Sequence, residues 1–203
     1  MLQTKDEILR EKILAGADKL FRKYGLNKTT MEEIAKEAGK GKSTLYYYFK
    51  SKEEIFDAII QSEKNKFYAD IQEAVSKAAT ARDKLNTFLT FRFERLKELT
   101  NLYNVIIQEA VDAFGTDAGD LTACYRKQCD MKESNIIKSI LQYGVVTGEF
   151  RVFTESEMDM MSFIFMSAQH GMELDLIIYD RLDEMLSKMQ FFQEIIFSGI
   201  RKT

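Results

Sequence analysis

The sequence predicts an all-α protein of about nine helices, and three observations carry that prediction. There is no proline in 203 residues, so no helix is interrupted for want of a backbone donor, and the chain is otherwise rich in helix formers. Apolar residues recur at helical spacing along its length. A hydroxyl residue followed three positions later by glutamate, the reciprocal cap of a helix start, stands at Thr30–Glu33 and again at Ser51–Glu54.

Taken in order, the first helix is expected from Asp6 to Tyr24, with Ile13, Leu14, Ala17, Leu20, Phe21 and Tyr24 on its inner side and Gly25 at its end. Thr30 then caps a helix of about two turns whose apolar face is Ile34, Ala35 and Ala38. Gly39 stops it, because glycine accepts the left-handed backbone that ends a helix. Gly41 bends the chain, and Ser43 or Thr44 opens a second short helix that buries Leu45 and Phe49. Two short helices joined by a glycine turn make a helix-turn-helix.

The side that this second helix leaves outside carries Ser43, Thr44, Tyr46, Tyr47 and Tyr48, with Lys40, Lys42, Lys50 and Lys52 around it. Hydroxyls on a helix thin enough for the major groove, ringed by cations for phosphates, suit DNA. Periodicity alone fits a small helical subdomain with packed tyrosines equally well. Charge favours the first reading. Residues 1–52 hold 12 Lys and Arg against 7 Asp and Glu, while residues 53–203 hold 17 against 25, so a net charge of −3 conceals a basic head on an acidic body.

Beyond the head, Ser51 opens a long fourth helix with Ile55, Phe56, Ile59, Ile60, Phe67, Ile71 and Val75 as its buried stripe. Further helices are expected over Ala81–Leu99, Leu102–Phe114, Gly119–Tyr143, Glu155–Tyr179 and Leu182–Arg201. The last two carry apolar residues on more than one side, a surplus that a second chain would cover.

The run from Thr29 to Phe56, T-T-x-x-x-I-A-x-x-A-G-x-x-x-S-T-L-Y-Y-Y-F-x-S-K-E-x-I-F, resembles the TetR family of bacterial transcriptional regulators, and the likeness reaches back over Ile13 to Gly25. It implies a three-helix DNA-binding head over residues 1–52 and a helical ligand-binding and dimerisation domain over 53–203, joined by the fourth helix as a lever. The segment Gly148-Glu149-Phe150-Arg151 is similar to a short element that often precedes the family's penultimate helix. By motif position, Thr30 and Lys52 are expected on phosphates, and Lys42, Ser43, Thr44, Tyr46 and Tyr47 on bases and backbone of a double-stranded operator. Tyr48, where many relatives carry another residue, is expected on the DNA backbone.

The resemblance further implies a homodimer through the last two helices, near 163–174 and 185–196, a palindromic operator, and release by a small-molecule effector. Large or pliable apolar residues on the middle helices suit an adaptable apolar pocket, and Phe88, Phe91, Phe93, Leu96, Tyr103, Ile107, Phe114, Tyr125, Phe165 and Met166, with His170, are its candidate lining. A helical ligand-binding or interaction module that does not read DNA is the alternative.

Other chemistries fit less well. Gly41-Lys42-Ser43 lacks the earlier glycine of a phosphate loop, since Lys36 stands there, and a helix precedes it where a strand is needed. Ser167, His170 and Asp175 share one helix without the turn that exposes a catalytic serine. Cys124, Cys129 and a single histidine match no zinc spacing, so neither enzyme activity, metal nor cofactor is expected. The charged N-terminus and the lack of a membrane-length apolar run place the protein in the cytoplasm.

Overall fold

The computed structural model describes residues 4–99 and 119–202, without the side chains of 119–131 and 174, and these residues form nine helices and no strand. They are α1 (Lys5–Tyr24), α2 (Met31–Glu37), α3 (Lys42–Tyr48), α4 (Lys52–Lys77), α5 (Ala81–Glu98), α6 (Gly119–Thr147), α7 (Glu155–Ile178), α8 (Leu182–Ser187) and α9 (Met189–Ile200). The helix expected over Leu102–Phe114 lies outside the described residues. Two compact units divide the chain between Lys66 and Phe67, inside α4.

In the first unit, α1 to α3 and the start of α4 close on one apolar core. Ile13, Ala17, Phe21, Ile34, Leu45 and Ile55 are fully buried there, and Phe21 meets Phe56 edge to face at 5.6 Å. The approach of α1 to the end of α2 at Gly16 leaves little room for a side chain. A Cβ at Gly16 would sit 3.3 Å from Glu37 Cγ and 3.4 Å from the Ala38 nitrogen.

In the second unit, α5 is the central element, packing on α6, α8 and α9. Its inner face is Ala81, Leu85, Phe88, Leu89, Phe93 and Leu96, with Arg92 in phase among them. Two departures from the sequence reading are local. The helix expected to stop at Tyr143 continues to Thr147, because Gly144 is a seat and not a terminus. A Cβ there would fall 2.1 Å from the Phe150 ring, which is buried against it. The expected single helix Leu182–Arg201 is divided at Lys188, whose N–H is shared between the Glu184 and Met185 carbonyls at 3.2 and 3.1 Å and whose ψ opens to 17°.

The Gly148-Glu149-Phe150 segment holds three elements together. Phe150 fills the Gly144 seat, and Glu149 accepts the Ala81 and Arg82 N–H groups at 2.8 and 3.2 Å, capping α5 from a distance in sequence. Arg151 N–H donates to the Ile200 carbonyl and Lys202 N–H to that of Glu149, both at 3.0 Å, tying the end of α9 to the same segment.

Candidate nucleic-acid interface

Residues of α3 owe their positions to local chemistry on either side. Thr30 caps α2 as expected: Glu33 N–H donates to its hydroxyl at 3.3 Å, and Thr30 N–H donates to the Glu33 carboxylate at 2.8 Å. That hydrogen bonding holds the Glu33 carboxyl below its ordinary value. At the other end of α2, Gly39 takes φ 66°, its N–H reaching Lys36 and that of Lys40 reaching Ala35, the two bonds of a Schellman stop. Gly41 then caps α3 through its carbonyl, which accepts from Thr44 and Leu45 N–H. Neither Ser43 nor Thr44 opens the helix, as the sequence reading had it. Gly41 does so without a side-chain bond, and the helix starts at Lys42.

Leu45 and Phe49 are the inner side of α3, and Arg10 lies 5.0 Å over the Phe49 ring. The outer side is open. Tyr47 is 80% exposed and Tyr46 45%, while Ser43 is exposed and Thr44 half-buried. Lys42 pairs with the Glu32 carboxylate and stands 5.8 Å from the Tyr46 ring; the pair raises the Lys42 ammonium and lowers the Glu32 carboxyl.

Two of the expected contacts are turned inward. Tyr48 donates its hydroxyl to Asp6 on α1 at 2.7 Å, which holds the phenol above its ordinary value, and its ring meets Tyr47 edge to face at 5.1 Å. Lys52 donates to the Leu26 and Asn27 carbonyls at 2.8 and 3.2 Å, fixing the loop between α1 and α2. Ser51 caps α4 through Glu54 N–H at 3.2 Å, but the Glu54 carboxylate reaches Lys50 N–H, one residue ahead of the expected box. Thr29, buried, donates to the Gly25 carbonyl at 2.8 Å, so the paired threonines divide into one loop tie and one cap.

Of the candidate pocket residues, Phe88, Phe93, Leu96 and Met166 are buried and Phe91, Phe165 and His170 half-buried, with Phe91 5.8 Å from Phe67. Tyr103 and Ile107 lie outside the described residues, as do Phe114 and the Tyr125 side chain. A cavity of about 550 Å³ in the second unit is lined by other residues, from α4, α5 and α6.

Sequence reasoning also missed a buried ionic cluster. Arg92 grips Glu173 with two bonds of 2.6 and 3.0 Å, pairs with Glu133, and stands 5.6 Å from the Phe67 ring, all three charged side chains being buried. Its signal was present: each of the three falls in phase with the apolar stripe of its own helix. Among the described residues no group of His, Cys, Asp and Glu is arranged to hold a metal, and no helix is long and apolar enough to cross a membrane.

Residues 13–59 match the family model described as bacterial regulatory proteins, tetR family. The chain is 28% identical over 196 residues to the HTH-type transcriptional regulator QacR of Staphylococcus aureus, covering 96% of this chain and 99% of that protein. It is 32% identical over 144 residues to the uncharacterized HTH-type transcriptional regulator YhgD of Bacillus subtilis, covering 68% and 70%. A transcriptional regulator from Cytophaga hutchinsonii superposes with a TM-score of 0.78 at 26% identity, over 95% of this chain and 98% of that one.

Proposed function

This chain belongs to the TetR family of bacterial transcriptional regulators, DNA-binding proteins of helix-turn-helix type, and we propose that it is a homodimeric repressor that binds a palindromic operator and releases it when a small molecule enters the second unit. The observation that carries this reading is the outer face of α3. Ser43, Tyr46 and Tyr47 stay exposed on the side of α3 opposite the buried Leu45, with the exposed Lys42 beside them. Two adjacent tyrosines left in water on a seven-residue helix offer hydroxyls and ring edges to a DNA groove.

Residues 1–52 are the DNA-binding domain in this reading, and residues 53–203 the effector and dimerisation domain. Ser43, Thr44, Tyr46 and Tyr47 meet base edges and backbone, and Lys42 and Thr30 meet phosphates. Lys52 has a third N–H to offer a phosphate beyond the two it spends on the loop. Tyr48 serves chiefly by holding Tyr47 edge-on, and reaches the DNA backbone only by releasing Asp6.

Pairing through α7 and α9 is supported by what they expose. Phe163 and Ile164 on α7 are 66% and 52% exposed, and Phe191 and Ile195 on α9 are 69% and 56%. Large apolar side chains left in water on both helices are the kind of surface that a second copy covers. Two heads in a dimer would then enter successive major grooves about 34–36 Å apart. The effector would act by favouring another separation, with a coupling of about 1–3 kcal/mol.

Sedimentation of the wild type and of Phe163→Asp/Phe191→Asp tests the assembly. A dimer that the double substitution splits, with loss of operator affinity, is the expected result. A monomeric wild type that still selects a palindrome would overturn it.

A further inference from the structure

The cavity of about 550 Å³ is a groove between the last turns of α4 and the middle of α6, and its size falls in the range that holds a small ligand. Its floor is apolar: Tyr68, Val75 and Ile140 are buried there and Ile136 half-buried. Hydroxyl and amide side chains such as Ser139 and Asn135 form the rim.

The charge of the groove is unlike that of its surroundings. Residues 53–203 carry eight more acidic than basic side chains, yet the lining contains two lysines and no carboxylate. The two cations occupy opposite ends. Lys84 donates to the Val75 and Ser76 carbonyls at the close of α4, at 3.0 and 3.4 Å, and stands 5.0 Å from the Tyr143 ring. Lys132 lies 5.1 Å from the Tyr68 ring, eleven residues before Tyr143 on the same helix, which is about 16 Å along it. Lys84 is thus tied to backbone, whereas the exposed Lys132 ammonium rests on an aromatic face that a stronger anionic partner would outcompete.

We propose that this groove binds an anionic amphiphile with a single apolar chain, its head group on Lys132 and its chain laid over Val75, Ile136 and Ile140 toward Tyr143. The proposal names a ligand class for the effector reading above and rests on that reading only for the consequence at DNA; the binding itself stands apart. None of the pocket residues expected from the sequence takes part. The occupant would press on α4, the helix that continues into the first unit.

Isothermal titration of the full chain with dodecanoate, dodecyltrimethylammonium and dodecanol, each below its aggregation limit, tests this. Dodecanoate is expected to bind one per chain and at least about tenfold more tightly than either competitor, since the charge-assisted bond is what distinguishes them. Lys132→Glu should lose about the same factor and Lys132→Arg keep most of the affinity. Ser139→Trp, at an exposed rim position, should block the groove without disturbing the helical circular dichroism.

Equal affinity for all three head groups, indifference to both Lys132→Glu and Ser139→Trp, or no binding by a folded wild type would each overturn the proposal. Sequence-specific DNA binding measured in parallel separates the two readings. If it is absent while dodecanoate binding follows this pattern, the regulator reading falls and the groove stands; if it is present while the pattern fails, the reverse holds.

Discussion

The first unit keeps its polar chemistry on the outside, and the second unit buries some of its own. Around α1 to α3 the buried side chains are apolar apart from Thr29, and Tyr46, Tyr47 and Lys42 of α3 are exposed. In the second unit Arg92, Glu133, Glu173, Gln169 and Ser162 lie inside, and the ion cluster fastens α5 to α6 and α7. Hydrophobic burial is non-directional and tolerates small shifts, whereas a buried ion pair demands one geometry. The head is therefore held by a non-directional apolar core, with the outer side chains of α3 left at its surface. The second unit is a body whose packing is specified by charge, and is more vulnerable to the loss of one group.

The largest expected effect tests that vulnerability directly. Arg92→Ala leaves two buried carboxylates without their cation and should cost about 3–5 kcal/mol in denaturant unfolding. Replacing all three charges together, with Arg92→Met, Glu133→Leu and Glu173→Met, should recover most of that loss. A small effect of Arg92→Ala would erase the contrast between the units. Gly144→Ala comes next, because its methyl group would have to displace the Phe150 ring, an overpacking of about 1–3 kcal/mol. Thr30→Ala in the head, which removes one half of a reciprocal cap, should cost about 1 kcal/mol while leaving the second unit's unfolding unchanged.

The smallest effect is pH-dependent. Arg181 and Lys188 hydrogen-bond the Glu184 carboxylate and draw its pKa down to about 2 from the ordinary glutamate value of 4.5. A depressed folded-state pKa stabilises above the unfolded value and is lost as pH falls through the folded one. Glu184→Gln should therefore melt slightly below the wild type at neutral pH, and the gap should close between about 4.5 and about 2. Glu184 is exposed, so a gap that exceeded the cap's effect would contradict the account.

What could be read beforehand was whatever a few neighbouring residues decide. The Thr30 cap, the Gly39 stop and the Ile13, Ala17 and Phe21 stripe of α1 depend on spacings of three or four and were legible, whereas Tyr24, expected on the same inner side, is half exposed beyond the last turn that the core covers. What escaped depends on partners distant in sequence. Tyr48 is bonded to Asp6, 42 positions away, and Lys52 to the Leu26 and Asn27 carbonyls, partners that no local spacing announces. Gly144 resembled a terminus because its reason, Phe150, lies beyond the end of the helix that carries it. The α8–α9 break carries no proline or glycine to announce it. The groove arises only when the faces of α4 and α6 are brought side by side, with neither of them unusual alone.

The central claim is that the open face of α3 reads a DNA sequence. The most direct test is to capture and sequence genomic fragments on the purified protein and on Tyr47→Ala, each at two salt concentrations. Backbone contacts weaken steeply with salt while base contacts preserve preference. The account predicts that the wild type enriches a palindrome that survives the higher salt and that Tyr47→Ala, still dimeric and folded, loses it. Sequence-blind, salt-sensitive capture by the wild type, or an unchanged palindrome with Tyr47→Ala, would contradict it.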